Sequence, residues 1–215
     1  MSSYKVIYYN NRGRAEAIRF LLSYAGIEFE DFRFESKDDW PKYKPSMPYG
    51  KVPVLEIDGV KYSNTLAICA YLGKKFNLNG SSDLEALQIH TAAAFVYDLI
   101  DIVGDVLYGY RFSFTEESYE KEFKKLFDET IPSALEKFEK IVNKNDGYFV
   151  NGKLSWADIF FASIFESIYG ICAYMDIELK NDLLENYENL RKLYEEVRNI
   201  ENINHWIAKR PETKG

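Results

Sequence analysis

Cysteine and histidine are scarce, with two of each among 215 residues. Cys69 and Cys172 lie much too far apart for a CxxC pair. The residue types that hold zinc or a redox metal are therefore nearly missing, and no metal site is expected. A disulfide scaffold is excluded on the same count, and free thiols suit a reducing, cytoplasmic compartment. Long hydrophobic runs are lacking too. The longest, Ile159 to Met175, is interrupted by Glu166 and falls short of a membrane span, so it reads as a buried core helix and no membrane partner is expected. The opening Met1-Ser2-Ser3-Tyr4-Lys5 shows no basic segment followed by an apolar one, so no secretory signal is expected. There is no internal repeat and no low-complexity tract.

What is present is a foldable composition, 47% hydrophobic and 28% charged, long enough for one large domain or two small ones. The net charge of -7 hides an asymmetry. Residues 1–80 carry 12 Lys and Arg against 9 Asp and Glu, whereas the remainder carries 15 against 25. The acidic total argues against a nucleic-acid partner. The mildly basic first part suits a small anion, or serves solubility alone.

The patterning divides at the same place. Lys5–Tyr9 reads as a buried strand, Asn10–Gly13 as a polar turn, and Ala15–Ala25 as a helix stopped by Gly26. Residues 29–34 alternate as a strand or extended edge. Trp40–Gly50, with three prolines, is a loop with one helical turn at most. Pro53–Ile57 and Val60–Tyr62 flank Asp58-Gly59, a hairpin signal, and a helix opens near Leu66. Asn79-Gly80-Ser81-Ser82-Asp83 is a linker. Beyond it the spacing predicts helices over 84–110, 117–144, 155–174, 179–184, 187–199 and 202–208, with Pro132 kinking or interrupting the second. Ser155-Trp156-Ala157-Asp158 resembles a capping box, with Leu154 and Ile159 placed as its hydrophobic staple. An α+β domain over 1–80 and an all-helical domain over 81–215 follow.

Three features of the first part carry possible chemistry. Tyr8 ends a strand, where a phenol can point into a cleft or simply pack. Val52-Pro53 opens a strand and is a candidate cis bond that would expose the Val52 backbone to an added strand, or is an ordinary trans proline. Asn64 and Thr65 begin a helix, where unpaired N–H groups favour a carboxylate or phosphate, or where a polar residue merely caps.

Their order and spacing say more than any one of them. The run Tyr4-Lys5-Val6-Ile7-Tyr8-Tyr9-Asn10, then Arg12-Gly13-Arg14-Ala15-Glu16, Trp40, Lys44 and Pro48-Tyr49-Gly50-Lys51-Val52-Pro53-Val54-Leu55, resembles the cytosolic glutathione transferases, with the sigma class the nearest match. The resemblance continues through Gly152–Asp158 to Trp206–Pro211. It implies a thioredoxin-like N-terminal domain, an all-α C-terminal domain, a homodimer, and glutathione as co-substrate without a metal. By position, Tyr8 would hydrogen-bond the glutathione sulfur, with Arg14 beside it. Trp40, Lys44 and Lys51 would surround the glycyl end, and Val52, ahead of Pro53, would pair with the cysteinyl unit. Asn64 and Thr65 would bind the γ-glutamyl carboxylate, and Asp98 would reach the site of the other subunit. Tyr9, Asn11, Ile102, Asp105 and Tyr108 would line the region for a small hydrophobic electrophile.

A free thiol has a pKa of about 8.5, so only a few per cent is ionised at neutrality. A neutral phenol, with a pKa of about 10, can donate to the thiolate without losing its proton. Lowering the thiol pKa by about two units needs only about 2.7 kcal/mol, the size of one charge-assisted hydrogen bond plus a nearby arginine. The implied activity is conjugation to electrophiles, with reduction of organic hydroperoxides as a further outlet. Glutathione-dependent prostaglandin D isomerisation and a non-catalytic carrier or lens-type structural role are the alternatives. This chain has Asn64-Thr65 where the family usually has Gln-Ser. It also has Ala94 and Tyr97 where the prostaglandin-forming members carry Asp, and their pocket tryptophan is replaced near Asp105. These departures argue against a metal effect and against prostaglandin specificity. A thiol–disulfide oxidoreductase is disfavoured because neither cysteine lies in the Tyr8–Glu16 loop.

Overall fold

The computed structural model describes residues 2–109, 115–179 and 182–213. Strand β1, Tyr4–Tyr9, is the hub of a four-stranded mixed sheet. It pairs in parallel with β2, Glu30–Phe34, and antiparallel with β3, Val54–Ile57, which pairs in turn with β4, Val60–Ser63, in the order β2-β1-β3-β4. A central strand is covered on both faces, which is why β1 reads as a nearly continuous apolar run. Val6 and Tyr8 join the main core, while Ile7 turns the other way onto Phe34, Met47 and Val54. The Asp58-Gly59 hairpin turn has both residues at positive φ, 50° and 84°.

Helices α1, Glu16–Tyr24, and α3, Thr65–Lys75, cover the main-core face of the sheet. On the other side, α2 is a single turn, Trp40–Tyr43, followed by short 3-10 turns, as the three prolines require. The remainder is helical among the described residues. It comprises α4, Asp83–Gly109; α5, Glu116–Lys125; α6, Ile131–Lys144; α7, Trp156–Tyr174; α8, Glu188–Asn199; and α9, Glu201–Lys209. The expected end of the first of these at Tyr110 lies outside the described residues.

The stretch 117–144 is interrupted as Pro132 demands. A π turn, Leu126–Thr130, separates α5 from α6, and Pro132 falls in the first turn of α6, where its missing N–H costs nothing. The helix expected over 179–184 is a correction. Residues 180 and 181 lie outside the described residues, and 183–186 form turns instead. Asp182 Oδ1 accepts from the Leu184 N–H (2.8 Å) and the Tyr169 hydroxyl (2.6 Å), a local bond that competes with helix extension.

Helix α7 is the core of the second part. Like α4 it is long and apolar enough to cross a membrane by length and composition, yet 89% of its apolar window is buried within the fold. Asp158 holds its start. The carboxylate accepts from the Ser155 N–H (2.7 Å), the Ser155 hydroxyl (2.6 Å) and the Phe149 N–H (2.8 Å). The Asp therefore serves the reciprocal cap that Glu usually serves. Trp156 then locks α7 to the sheet-containing part. Its indole N–H donates to Asn79 (2.9 Å), and its ring lies so close to α3 that a Cβ on Gly73 would come within 2.3 Å of it.

A second tie is ionic. Glu16 of α1, fully buried, accepts from the Trp206 indole (2.9 Å) and from Arg210 (2.9 Å), and pairs with Arg19 (3.0 Å). Arg210 also pairs closely with Glu166 of α7, which accepts from the Tyr194 hydroxyl (2.6 Å) and lies 2.7 Å from Arg198. Burial alone would raise both glutamates, but the attached arginines outweigh it, and both are held below their ordinary 4.5. The network therefore contributes fully above that value, and its contribution is lost as pH falls through the lower folded values.

Chemical denaturation checks two outcomes. Asp158→Ala, which strands buried N–H donors, is expected to lower stability by about 2–4 kcal/mol at neutral pH. The unsubstituted chain is expected to lose stability steeply below about pH 4.5, as Glu16 and Glu166 protonate.

Candidate functional site

Sheet register brings the three sequence features together. Ile7 pairs with Val54, and Val54 pairs with Ser63. Tyr8 follows Ile7, Pro53 precedes Val54 and Asn64 follows Ser63. All three thus stand one residue beyond the same rung, at one end of the sheet, although they lie 45 and 11 positions apart in sequence.

Tyr8 is buried, and the main-chain N–H of Arg14 faces its hydroxyl. The turn that brings Arg14 there starts at Gly13, with φ +43°, where a Cβ would come within 2.8 Å of the Tyr8 ring edge and hydroxyl. Only glycine lets the turn close over the phenol. The Gly13 carbonyl is held from the other side by the Ser167 hydroxyl of α7 (2.9 Å). Burial pushes the Tyr8 phenol above its ordinary 10, outweighing the downward pull of the Arg14 charge and N–H and of the Arg19 charge. The phenol keeps its proton at neutral pH and has that O–H to donate.

The Arg14 side chain pairs closely with Asp101 of α4, and its guanidinium carbon lies 5.4 Å from the centre of the Tyr97 ring. Both partners of the pair are about two-fifths exposed, so the pair is worth about 1 kcal/mol at most. Its value is in aiming a charge beside Tyr8. Tyr97 and Asp101 are one helical turn apart, so they share a face of α4.

The remaining residues assemble around the same end. The Val52-Pro53 bond is cis, with Pro53 buried and Val52 half-buried. Asn64 sits at φ 84° and ψ 113°, strained for a residue with a side chain, and its Oδ1 accepts from the Ala67 N–H (3.1 Å) to cap α3. Its side chain is exposed, whereas Thr65 is buried. The Trp40 ring packs edge-on to Tyr9, centres 5.9 Å apart. The exposed Lys44 runs along Gly50, where a Cβ would lie 3.4 Å from its Cε, and Lys51 follows, also exposed.

Ile102, expected at the electrophile region, stands elsewhere, beside Asp98, which was expected to serve the other subunit. Asp98 and Ile102 are exposed on α4 and line a groove of about 440 Å³ with Phe95, Ser133 and Lys137. By helical spacing this is a different face from that of Tyr97 and Asp101. Asp105 is exposed, Tyr108 packs half-buried against the core, and Asn11 lies beside Gly13. Sequence reasoning missed Gly13, Asp101 and Ser167 as supports of the phenol. The one available signal was the i, i+4 placement of Tyr97 and Asp101.

Comparison with known proteins identifies the family. The family profile "Glutathione S-transferase, N-terminal domain" matches residues 4–74, and "Glutathione S-transferase, C-terminal domain" matches 104–210. The chain is 40% identical over 219 residues to "Glutathione S-transferase S1" of Drosophila melanogaster, covering 99% of this chain and 80% of that one. It superposes on "prostaglandin synthase D of Nilaparvata lugens" with a TM-score of 0.85 and 38% identity, covering 98% and 99% of the two chains. It superposes on monomeric Na-GST-3 of the hookworm Necator americanus with a TM-score of 0.82 and 29% identity, covering 99% and 100%. The chain therefore belongs to the glutathione S-transferase family, enzymes of the transferase type that use glutathione as co-substrate.

Proposed function

We propose that this chain binds glutathione across the shared end of β1, β3 and β4 and adds its thiolate to small hydrophobic electrophiles. The observation that carries this reading is the neutral Tyr8 phenol, buried under the Gly13 turn beside the Arg14 charge with its proton available to donate. A sulfur seated there receives one charge-assisted hydrogen bond and the field of the Arg14 cation, which together favour the thiolate. Tyr8 and Arg14 are the catalytic residues in this reading.

The rest of the tripeptide follows from chemistry. The γ-glutamyl carboxylate is received by Asn64, Thr65 and the free N–H groups of the first turn of α3. The cysteinyl main chain pairs with Val52 ahead of Pro53, as an added strand would. The glycyl carboxylate meets Lys44 and Lys51 beside Trp40. The electrophile lies over Tyr9, Asn11, Asp105 and Tyr108. Ile102, on the face of α4 away from Arg14, serves it less directly. The two domains divide at residue 80, and the enzyme is cytoplasmic and detoxifying.

A homodimer accounts for the exposed apolar surface. Tyr49, 90% exposed, stands with Tyr62 and Tyr71 around a groove of about 610 Å³, and Leu84, Leu87, Phe95 and Ile102 are exposed on α4. Asp98 on that helix is then free to reach the site of the second copy. Glutathione-dependent prostaglandin isomerisation is a second reading, favoured by the likeness to the Nilaparvata lugens protein.

Three measurements test these statements. Tyr8→Phe is expected to lower conjugation of a generic aromatic halide about 10- to 100-fold with little change in glutathione affinity, the loss of a hydrogen bond to a charged sulfur. Full turnover in that variant would move the sulfur role elsewhere. Sedimentation is expected to give twice the chain mass, and Tyr49→Ser with Phe95→Ser to shift it toward the single chain; a single-chain mass for the unsubstituted protein contradicts the dimer. Product analysis with the prostaglandin endoperoxide is expected to give no isomerisation above background, and a specific D-type product would establish the second reading.

A further inference from the structure

The turn between Tyr8 and Arg14 runs into a 3-10 turn, Gly13–Ala15, closed by the Glu16 N–H on the Gly13 carbonyl. Asn11 N–H closes on the Tyr9 carbonyl (2.8 Å) and Glu16 N–H on the Arg12 carbonyl (3.2 Å). Beside the Ser167 hydroxyl on the Gly13 carbonyl, a further grip comes from one side chain of α1. Arg19 of α1, fully buried, donates through Nη1 to the carbonyls of Asn11 (3.0 Å) and Arg12 (3.2 Å), and through Nε to Asp31 of β2 (2.8 Å). The same Nη1 meets Glu16 Oε2 (3.0 Å). The other oxygen of Glu16 is occupied by the Trp206 indole and Arg210, from the last helix and the residue after it. Arg12 of the turn donates in turn to the Glu166 carbonyl of α7 (3.2 Å), whose carboxylate takes the second nitrogen of Arg210.

We propose that Arg19 is a positioning residue for the Tyr8–Arg14 turn, and that Trp206 and Arg210, at the far end of the chain, hold it in register through Glu16. The argument is geometric. A guanidinium is a rigid planar fork, so fixing its orientation at Glu16 and Asp31 fixes where its Nη1 holds the two carbonyls. Those carbonyls set the path into Gly13, and that path decides how closely the turn lies against the Tyr8 hydroxyl. A lysine at position 19 keeps the charge but replaces the fork by a flexible point donor. The proposal rests on the reading that Tyr8 stabilises a bound thiolate.

The readout is the ionisation of glutathione bound to each variant, followed as thiolate ultraviolet absorbance against pH, together with glutathione affinity and kcat. Arg19→Lys is expected to raise the bound thiol pKa by about one unit, a tenfold loss of thiolate below the pKa, with affinity changed no more than about threefold. Arg210→Gln is expected to shift it the same way by about half as much, with Arg210→Lys recovering part of the loss. Trp206→Phe keeps every charge and most of the ring packing against Phe29, so it carries the test should the arginine variants not fold; a shift in the same direction is expected. Variants that melt earlier while keeping the bound thiol pKa and kcat of the parent would make the network purely structural and overturn the proposal. Tyr8→Phe separates the two layers. A thiol pKa unchanged by Tyr8→Phe defeats the sulfur reading itself, whereas one raised by Tyr8→Phe but not by the network variants defeats only the positioning role.

Discussion

A phenol proton aids a thiolate only if it stays on the phenol and stays in place, and most of the architecture around β1 serves those two conditions. Burial keeps the proton on Tyr8 by penalising the phenolate more than Arg14 and Arg19 favour it. Position is set by contact: Gly13 closes over the ring edge and hydroxyl with no room for a Cβ. Such donors act at full strength because they do not reorganise when charge appears on the sulfur.

The charges divide into two kinds with different work. Arg14 and Asp101 are partly exposed and contribute little to stability, so their effect is local and directional. Glu16, Arg19, Glu166 and Arg210 are buried and shared across the two halves of the molecule. Removing one member would strand a partner in low dielectric, a cost of about 3–5 kcal/mol, so this set fixes how α1, α7 and the C-terminal segment sit together. Trp156 against Gly73 does the same by shape. The dependence of the site on both halves follows: Ser167 of α7 and Asp101 of α4 hold a turn that belongs to the sheet.

The strands, the α1 period, the hairpin and the cap at Ser155 were legible because each is local and written in patterning or turn chemistry. The identities of Tyr8, Val52 and Asn64 as site candidates came from the order of motifs. That Tyr8, Pro53 and Asn64 stand one residue beyond a shared rung could not be read from the chain, since register is set by pairing between strands. Asp101, Ser167 and Arg210 were not legible as supports because their partners lie 87, 154 and 194 positions away. Glu166 was nevertheless visible as a charge inside an apolar run. A buried charge requires a partner, and that requirement was the signal. The failed helix over 179–184 shows the opposite limit: a helix period was present, but the Asp182 side chain satisfied the local backbone first.

The measurement that bears most directly on this account is ultraviolet titration of glutathione bound to the unsubstituted protein. The account predicts thiolate absorbance with a midpoint near pH 6.5, about two units below the free thiol at about 8.5. A bound thiol that ionises no earlier than the free tripeptide would contradict it.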